Sequence, residues 1–562
     1  MAHRVGIDLG TTNSAIAITE LGRQRCVKVD QNEYSAAVFP SCIAVGKNGQ
    51  PIYGGQARRA GGVREFKRAM GTSQKFRIGD QEFSATQLSA LLLARIKEQF
   101  ETQHGDIEGA VITVPANYGD QKRAEVKEAG RLAGLRVLRV INEPSAAAIA
   151  YSLSDRPPGE NSLVIDWGGG TLDVSLVDCI DDVLDVKAND GDELCGGKDI
   201  DAAVLDLLIG KARAQFGNQV NDPVVRNELL LKCEEIKIWL STNDIWDEPI
   251  DIRSLKGFVE VEILRNQLEL VVSPLVSRVM AAVNRTLEKN PEGKLQPKDI
   301  SDIILVGGSC LLPMFQQEVQ RMFGRPGRID LNPMEVVALG AAYQAEHADQ
   351  TGKLVTIHSL THSLGVGCLG QDRLGVLRPD HYAEILPAGS KLPSKKTHVF
   401  RTVQDFQESI EVEVFENPDG RMTVKGLTPW SSRSLDNLPR LRAGSFPVEV
   451  TFDYSVDQTL TVNVRVPGHA VNETWKADHQ VRIEVEHAEA KTGVDDFRDR
   501  SLKKLSEFLA KVRATVKDGT PDVVRVQLQA LEDAIQRGSI DDARKAKSQL
   551  GAALFDAGIQ LS

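Results

Sequence analysis

Short apolar runs set between polar turns open the chain. Val5-Gly-Ile7 and Ala15-Ile-Ala-Ile18 flank the turn from Asp8 to Ser14, and Leu163-Val-Ile165 and Val174-Ser-Leu-Val177 flank the turn from Asp166 to Asp173. Runs of this length around glycine-rich turns predict two β-hairpins. From residue 5 to about 345 such runs alternate with amphipathic helical patterns, as where Gly109-Ala-Val-Ile-Thr-Val-Pro115 precedes the stretch Asp120 to Gly134. That alternation predicts α/β architecture. Between about 200 and 295 the pattern predicts long helices with a short β insert, Leu229 to Leu240 carrying its charges on one face. After Gln344 the character changes. Polar residues through Gly352 give way to alternating runs such as Ser409-Ile-Glu-Val-Glu-Val-Phe415 and Pro447-Val-Glu-Val-Thr-Phe452, which predict a separate antiparallel β domain up to about 488. From Val494 the pattern is helical again, broken at Gly519-Thr-Pro521 and at Gly538-Ser539, with Ser539 as an N-cap. Three short helices are expected there.

A chain of 562 residues exceeds one core, so several domains are expected. The net charge of -11, with no stripe of Lys and Arg, argues against a general nucleic-acid or anionic-membrane binder. Cys26, Cys42, Cys179, Cys195, Cys233, Cys310 and Cys368 form no CxxC pair and are odd in number, which indicates neither a disulfide framework nor a zinc site. Met1-Ala-His-Arg4 leads straight into a strand pattern, and no run of about 18 apolar residues occurs. A reducing, cytoplasmic setting without membrane contact is the expectation.

The two turns carry the chemistry. In Asp8-Leu-Gly-Thr-Thr-Asn-Ser14 and Asp166-Trp-Gly-Gly-Gly-Thr-Leu-Asp173, glycines allow close backbone approach to a phosphate. Main-chain N–H groups and threonine hydroxyls can donate to it, and the leading Asp can face magnesium through water. One such loop reads most simply as a tight turn. Two copies, each with Asp first and Thr inside, point to one phosphate gripped from both sides, with a second lobe beginning near Ser162. Other signals fail on context. Gly365-Val-Gly-Cys-Leu-Gly370 fits GxGxxG but opens a β domain, not a helix. His358 and His362 have metal-pair spacing without a third ligand, and no GxxxxGK[ST] occurs.

Further segments are similar to one family. Val111-Ile-Thr-Val-Pro-Ala116, Val140-Ile-Asn-Glu-Pro-Ser-Ala-Ala-Ala148 and Ile303-Ile-Leu-Val-Gly-Gly-Ser309 with Asn332-Pro333, together with the two turns, resemble the Hsp70 chaperones over nearly the whole chain. Actin-fold sugar kinases and bacterial actins share the two-loop logic, but Asn142-Glu-Pro144 and the following β domain look like Hsp70. The resemblance implies an actin-like, two-lobed ATPase domain at 1–345, with lobes 1–160 and 161–345. A linker at 346–360, a peptide-binding antiparallel β-sandwich at 361–490 and a reduced helical lid at 491–562 would follow.

The resemblance also assigns residues. Asp8, Glu143 and Asp166 would surround a hydrated magnesium ion and the attacking water, with Lys67 and Thr171 beside the γ-phosphate. As a lone lysine in a helical stretch, Lys67 would otherwise read as a surface residue. Gly10, Thr11, Thr12, Asn13, Gly168, Gly169 and Gly170 would hold phosphates. Gly196, Gly197, Glu234, Lys237, Ser241, Gly307, Gly308 and Ser309 would complete the ATP/ADP site, the spacing of 234, 237 and 241 giving one helix face. Val366, Cys368, Leu369, Phe400, Val403, Ile410 and Val412 would line the peptide cleft, although alternating apolar residues by themselves read as core. Arg139 matches a J-domain contact.

Departures from the family are specific. Leu311 stands where an arginine usually stacks on adenine, a loss of roughly 0.5 to 2 kcal/mol, or about two- to thirtyfold in affinity. Met334 and Lys198 replace acidic residues. Lys353-Leu-Val-Thr-Ile-His358 replaces the acidic-ended leucine run that docks on the ATPase domain in the family, and Thr361 replaces a proline. With the short lid, these features look like a divergent bacterial branch. The expected function is an ATP-driven chaperone that hydrolyses ATP slowly and is stimulated by partners. Those partners would be unfolded or specific polypeptides, a J-domain co-chaperone and an exchange factor. An ATP-sensing binder of one dedicated partner and a metabolite kinase are the alternatives.

Overall fold

A computed structural model of the chain describes residues 2–29, 37–46, 50–79, 81–154, 157–180, 183–349, 355–357, 360, 362–371, 377–455, 459–477, 509, 512–513, 521–536, 546–547, 549–550 and 553. It divides into two compact units, Met1–His479 and Gln480–Ser562.

In the first unit, His3–Asp8 pairs antiparallel with Asn13–Glu20 and parallel with Ile107–Val114, in a six-stranded sheet that also holds Arg23–Val27, Val38–Pro40 and Val137–Asn142. A five-stranded sheet repeats the hairpin, Ser162–Trp167 against Leu172–Ile180, with Ile303–Val306 parallel at its side and Val183–Asp192 beyond. Both predicted hairpins are present. Helices Glu143–Ser152 and Val336–Glu346 pack between the sheets, and they are built from alanine. Ala146, Ala147, Ala148, Ala341, Ala342 and Ala345 are buried there. A Cβ on Gly340 would collide with the Ala146 backbone, and one on Gly6 with that of Ala342. Small residues thus set the spacing of the layers on which the hairpin tips stand.

Larger side chains fill the outer faces. Ala85–His104 and Asp120–Leu132 cover the first sheet through Leu88, Leu92, Ile96, Phe100, Val126 and Ala129. The first of these helices starts at a capping box, where Ser84 and Gln87 satisfy each other's backbone N–H. Arg265–Glu288 packs on the second sheet, and Gly197–Phe216 and Pro223–Thr242 share its core from beyond. The β insert in this region comprises the hairpin Ile250–Ile252 with Gly257–Val259, nested within the strand pair Ile245–Trp246 and Ile263–Leu264.

Eight further antiparallel strands form two sheets. Leu377–Leu386, Ser363–Gln371, Ile410–Asn417 and Pro429–Leu435 make one, and Ser394–Arg401, Pro447–Tyr454, Leu460–Arg465 and Asn472–Ala477 the other. Burial alternates strictly along Pro447–Tyr454, so the period-2 pattern puts Val448, Val450, Phe452 and Tyr454 into a shared core with Val414, Leu435 and Val462.

This β part is joined to the α/β part by backbone and side chains. Val355–Ile357 adds a fifth, parallel strand to the second sheet beside Val183, Leu184 and Asp185. Lys391 Nζ lies 2.5 Å from Asp185, and the Tyr454 hydroxyl donates to Asp120. Glu416 accepts from the Asp120 N–H at 3.3 Å and contacts His362 Nδ1 at 2.7 Å.

In the second unit, helix Asp522–Gln536 contributes Val524, Leu531 and Ala534 to a core with Val512, Ala546, Leu550 and Ala553. The Ser539 cap, most of Val494 to Gly519, and Lys353, Leu354, His358 and Thr361 lie outside the described residues. Among the described residues, no helix is long and apolar enough to cross a membrane. All seven cysteines are free.

Candidate functional site

The hairpin tips face each other across a cleft. A Cβ on Gly169 would lie 2.5 Å from Thr12 Oγ1, and one on Gly170 3.0 Å from Thr11 Cγ2, so only glycine permits this approach. The first tip is braced by Ser41, whose hydroxyl donates to the Gly10 carbonyl at 2.8 Å and whose N–H donates to that of Thr12 at 2.8 Å. The second is braced by the N–H of Gly197 on the Gly168 carbonyl at 3.0 Å, and by the Ser309 hydroxyl on the same oxygen at 2.9 Å. Gly196 touches Gly170 in turn. The Thr12 hydroxyl is buried and finds no partner among the described residues. Asn13, which opens Asn13–Glu20, completes the first tip.

Beneath the tips lies a concentration of charge. Lys67 sits in a single 3-10 turn, Phe66–Ala69, and not in a longer helix. It is 2% exposed, and its ammonium lies 2.8 Å from Glu143 Oε1. Glu143 is the first residue of Glu143–Ser152, so its carboxylate also meets a helix N-terminus. Asp8 ends its strand and accepts from the Thr113 hydroxyl at 2.9 Å. Asp166 and Asp173 are register partners in the second hairpin. Desolvation, then repulsion from Glu143, pushes Asp8 up to about 7 against the pull of Lys67. The same two causes push Asp173 up to about 7 and hold Asp166 well above the usual carboxylate range. Four carboxylates around one ammonium leave an excess of negative charge that a divalent cation would balance. Among the described residues no three His, Cys, Asp or Glu side chains converge to ligate an ion directly. That donor set fits a magnesium ion that keeps its waters.

Farther along the cleft, Glu234, Lys237 and Ser241 share helix Pro223–Thr242. Glu234 pairs with Arg58 from the opposite wall. Lys237 Nζ lies 2.7 Å from Asp201 and donates to the Gly197 carbonyl at 3.2 Å, and the Ser241 hydroxyl turns back to Lys237 O. Gly307 takes φ 83°, which brings it against the Trp167 carbonyl. Leu311 ends the turn Gly308–Leu311 at 38% exposure, and Met334 packs beside Gly308. Lys198 reaches Glu65 across the cleft. These ion pairs span the walls at this end, one of them made by the lysine that departs from the family.

A family model described as Hsp70 protein matches residues 4–78 and 66–559. The chain belongs to the Hsp70 family. It is 32% identical to the chaperone protein DnaK of Thermotoga petrophila over 599 aligned positions, covering 98% of this chain and 97% of that protein. DnaK proteins of Thermosipho africanus and Elusimicrobium minutum are also 32% identical, over 98% of this chain and over 96% and 92% of their own lengths. Family membership makes the chain an Hsp70-like chaperone and an ATP hydrolase, and the metabolite-kinase reading falls.

In this Hsp70 chain the predicted peptide-site residues divide. Val366 and Val412 are 4% and 6% exposed within the sandwich core, with Phe400 and Ile410 half-buried against them. Cys368 is half-buried, whereas Leu369 and Val403 are 45% and 55% exposed. Arg139 donates to Gln344 and to the Ala348 carbonyl. Sequence reasoning missed Thr113, Arg58 and Glu65. Of these, Thr113 alone carried a local signal, because it lies in the strand that runs beside Asp8.

Proposed function

We propose that the cleft between the hairpins binds ATP with magnesium, and that the β-sandwich holds an extended segment of unfolded or partner polypeptide. On this reading the domains are those the sequence suggests, 1–345, 346–360, 361–490 and 491–562. The main-chain N–H groups and hydroxyls of Thr11, Thr12 and Asn13, with Gly10, Gly168, Gly169 and Gly170, hold the phosphates. Asp8, Glu143 and Asp166 hold the hydrated ion, which when bound supplies charge neutralisation to the phosphates. Glu143 orients the attacking water, and Lys67 and Thr171 meet the γ-phosphate, where a fixed cation stabilises developing charge. Gly196, Gly197, Gly307, Gly308, Ser309, Glu234, Lys237 and Ser241 take the nucleoside end.

Leu369, Val403, Cys368, Phe400 and Ile410 present apolar surface to the peptide, with Val366 and Val412 as the floor. ATP binding opens this site, hydrolysis closes it and exchange resets the cycle, and the short lid lets peptide leave quickly. A J-domain co-chaperone meets the Arg139 region, and an exchange factor resets the nucleotide. The observation that carries this reading is the buried Lys67–Glu143 pair set directly under two facing phosphate turns.

Single-turnover hydrolysis by purified protein, with and without excess unfolded polypeptide, tests it, with Lys67→Ala as the blank. Slow hydrolysis that Lys67→Ala abolishes and polypeptide accelerates is expected. No hydrolysis above the blank would leave only the ATP-sensing binder.

A further inference from the structure

A pocket open to solvent reaches the phosphate turns through Thr11 and Thr171. Its lining includes Arg68, Tyr118, Lys122 and Glu193, but none of the residues at the nucleoside end. It is therefore a second approach to the phosphates. Lys67, which does not line it and is 2% exposed, lies 5.6 Å from the Tyr118 ring centroid, and Lys122, whose side chain is 31% exposed, lies 5.1 Å from the same ring. Glu193, 67% exposed, faces Lys122 at 3.7 Å. Tyr118 is pinned between them by its hydroxyl, which donates to the Lys67 carbonyl at 2.9 Å.

Two features make the pocket suited to an anion that passes through. Arg68 donates to the Gly170 carbonyl at the second phosphate turn, and its buried Nε finds no partner among the described residues. Lys122 and Glu193 come from opposite walls, one in helix Asp120–Leu132 and the other just after strand Val183–Asp192, so their pair closes the outer end. Asp173 also lines the pocket and opposes a long stay by any anion.

We propose that this pocket is the exit path of inorganic phosphate: after cleavage the ion passes Arg68 and leaves between Lys122 and Glu193, while ADP remains at the nucleoside end. The proposal rests on the ATPase reading. Lys122 draws the ion outward, and Glu193 is the competing anion that the ion displaces.

The test compares chemical-quench cleavage with the appearance of free phosphate in solution, in wild type, Lys122→Gln, Lys122→Arg and Glu193→Gln. With an unchanged cleavage rate, Lys122→Gln is expected to delay free phosphate by about three- to fivefold, the worth of one partly exposed charge contact. Lys122→Arg should restore it, and Glu193→Gln should shorten the delay. The same release times in all four proteins, or release that tracks ADP, would overturn the exit path. Titration of inorganic phosphate into the ADP-bound protein keeps the two readings apart. Binding that Lys122→Gln weakens supports the pocket even if cleavage fails, and phosphate binding indifferent to Lys122 counts against it.

Discussion

Two clusters of buried and half-buried acids lie in the first unit, and they are balanced differently. Under the phosphate turns, Asp8, Asp166, Asp173 and Glu143 surround Lys67, and the groups come from strands and a helix of the same packed layers. At the junction, Asp120 is hydrogen-bonded by Tyr454 and crowded by Glu416, with Arg123 and His362 nearby. Asp120 and Arg123 belong to the α/β part, whereas Tyr454, Glu416 and His362 belong to the β part. The cleft cluster persists whenever the α/β part is folded, so its surplus charge is available for an ion and a substrate. The junction cluster exists only while the β part sits against the α/β part, so its cost enters the docking equilibrium. On the proposed reading, the contrast separates a site for chemistry from a site for conformational coupling.

Breaking the cleft alone should have the largest effect. Glu143→Gln is expected to lower single-turnover hydrolysis about 100- to 1,000-fold, in the range for losing a group that positions or activates water, without changing the docked contacts. Quench-flow kinetics together with limited proteolysis of the junction would check both halves.

The junction should respond to pH. Desolvation first and Glu416 second push Asp120 up to about 7, and separation of the parts would return it to the ordinary carboxylate value of about 4. A group whose pKa is higher in the docked form takes up a proton on docking. Docking is therefore strongest below about pH 4, weakens by up to about tenfold per unit as pH rises toward 7, and changes little above that. Fluorescence energy transfer between dyes on the two parts, read from pH 5 to 8, should show this slope in wild type and lose it in Asp120→Asn. A slope unchanged in the variant would remove Asp120 from the account.

A smaller effect sharpens the comparison from the nucleoside end. Leu311→Arg is expected to tighten ATP binding about two- to thirtyfold in equilibrium titration by restoring a cation over the base, with the cleavage rate and the docking slope unchanged.

The legibility of these regions in sequence follows from the range of their contacts. The two glycine-rich hairpins could be read directly, because each pattern lies within a few consecutive residues. The alternation along Pro447–Tyr454 was equally plain, yet it could not say which apolar residues face core and which face a ligand. Val412 and Val403 look alike in sequence and differ from 6% to 55% in exposure. Lys67 looked like a surface lysine, because its partner Glu143 is 76 residues away. Asp120 read only as a helix start, since Tyr454 lies 334 residues on. The small sheet of Pro51–Tyr53, Cys42–Val45 and Val63–Arg64 escaped notice because strands of two to four residues carry almost no periodicity. The linker strand, although altered from the family's leucine run, still pairs at Val355–Ile357.

That pairing is where the central claim of a coupled chaperone can be tested most directly. Thr356 sits opposite Leu184 at the centre of the three-residue parallel ladder, and a proline there, with its fixed φ and no N–H, would disturb the strand. The decisive measurement is single-turnover ATP hydrolysis by wild type and Thr356→Pro, each with and without unfolded polypeptide. The account predicts acceleration in wild type, and an intact basal rate with no acceleration in the variant. Acceleration that survives in Thr356→Pro would show that the signal does not pass through this strand.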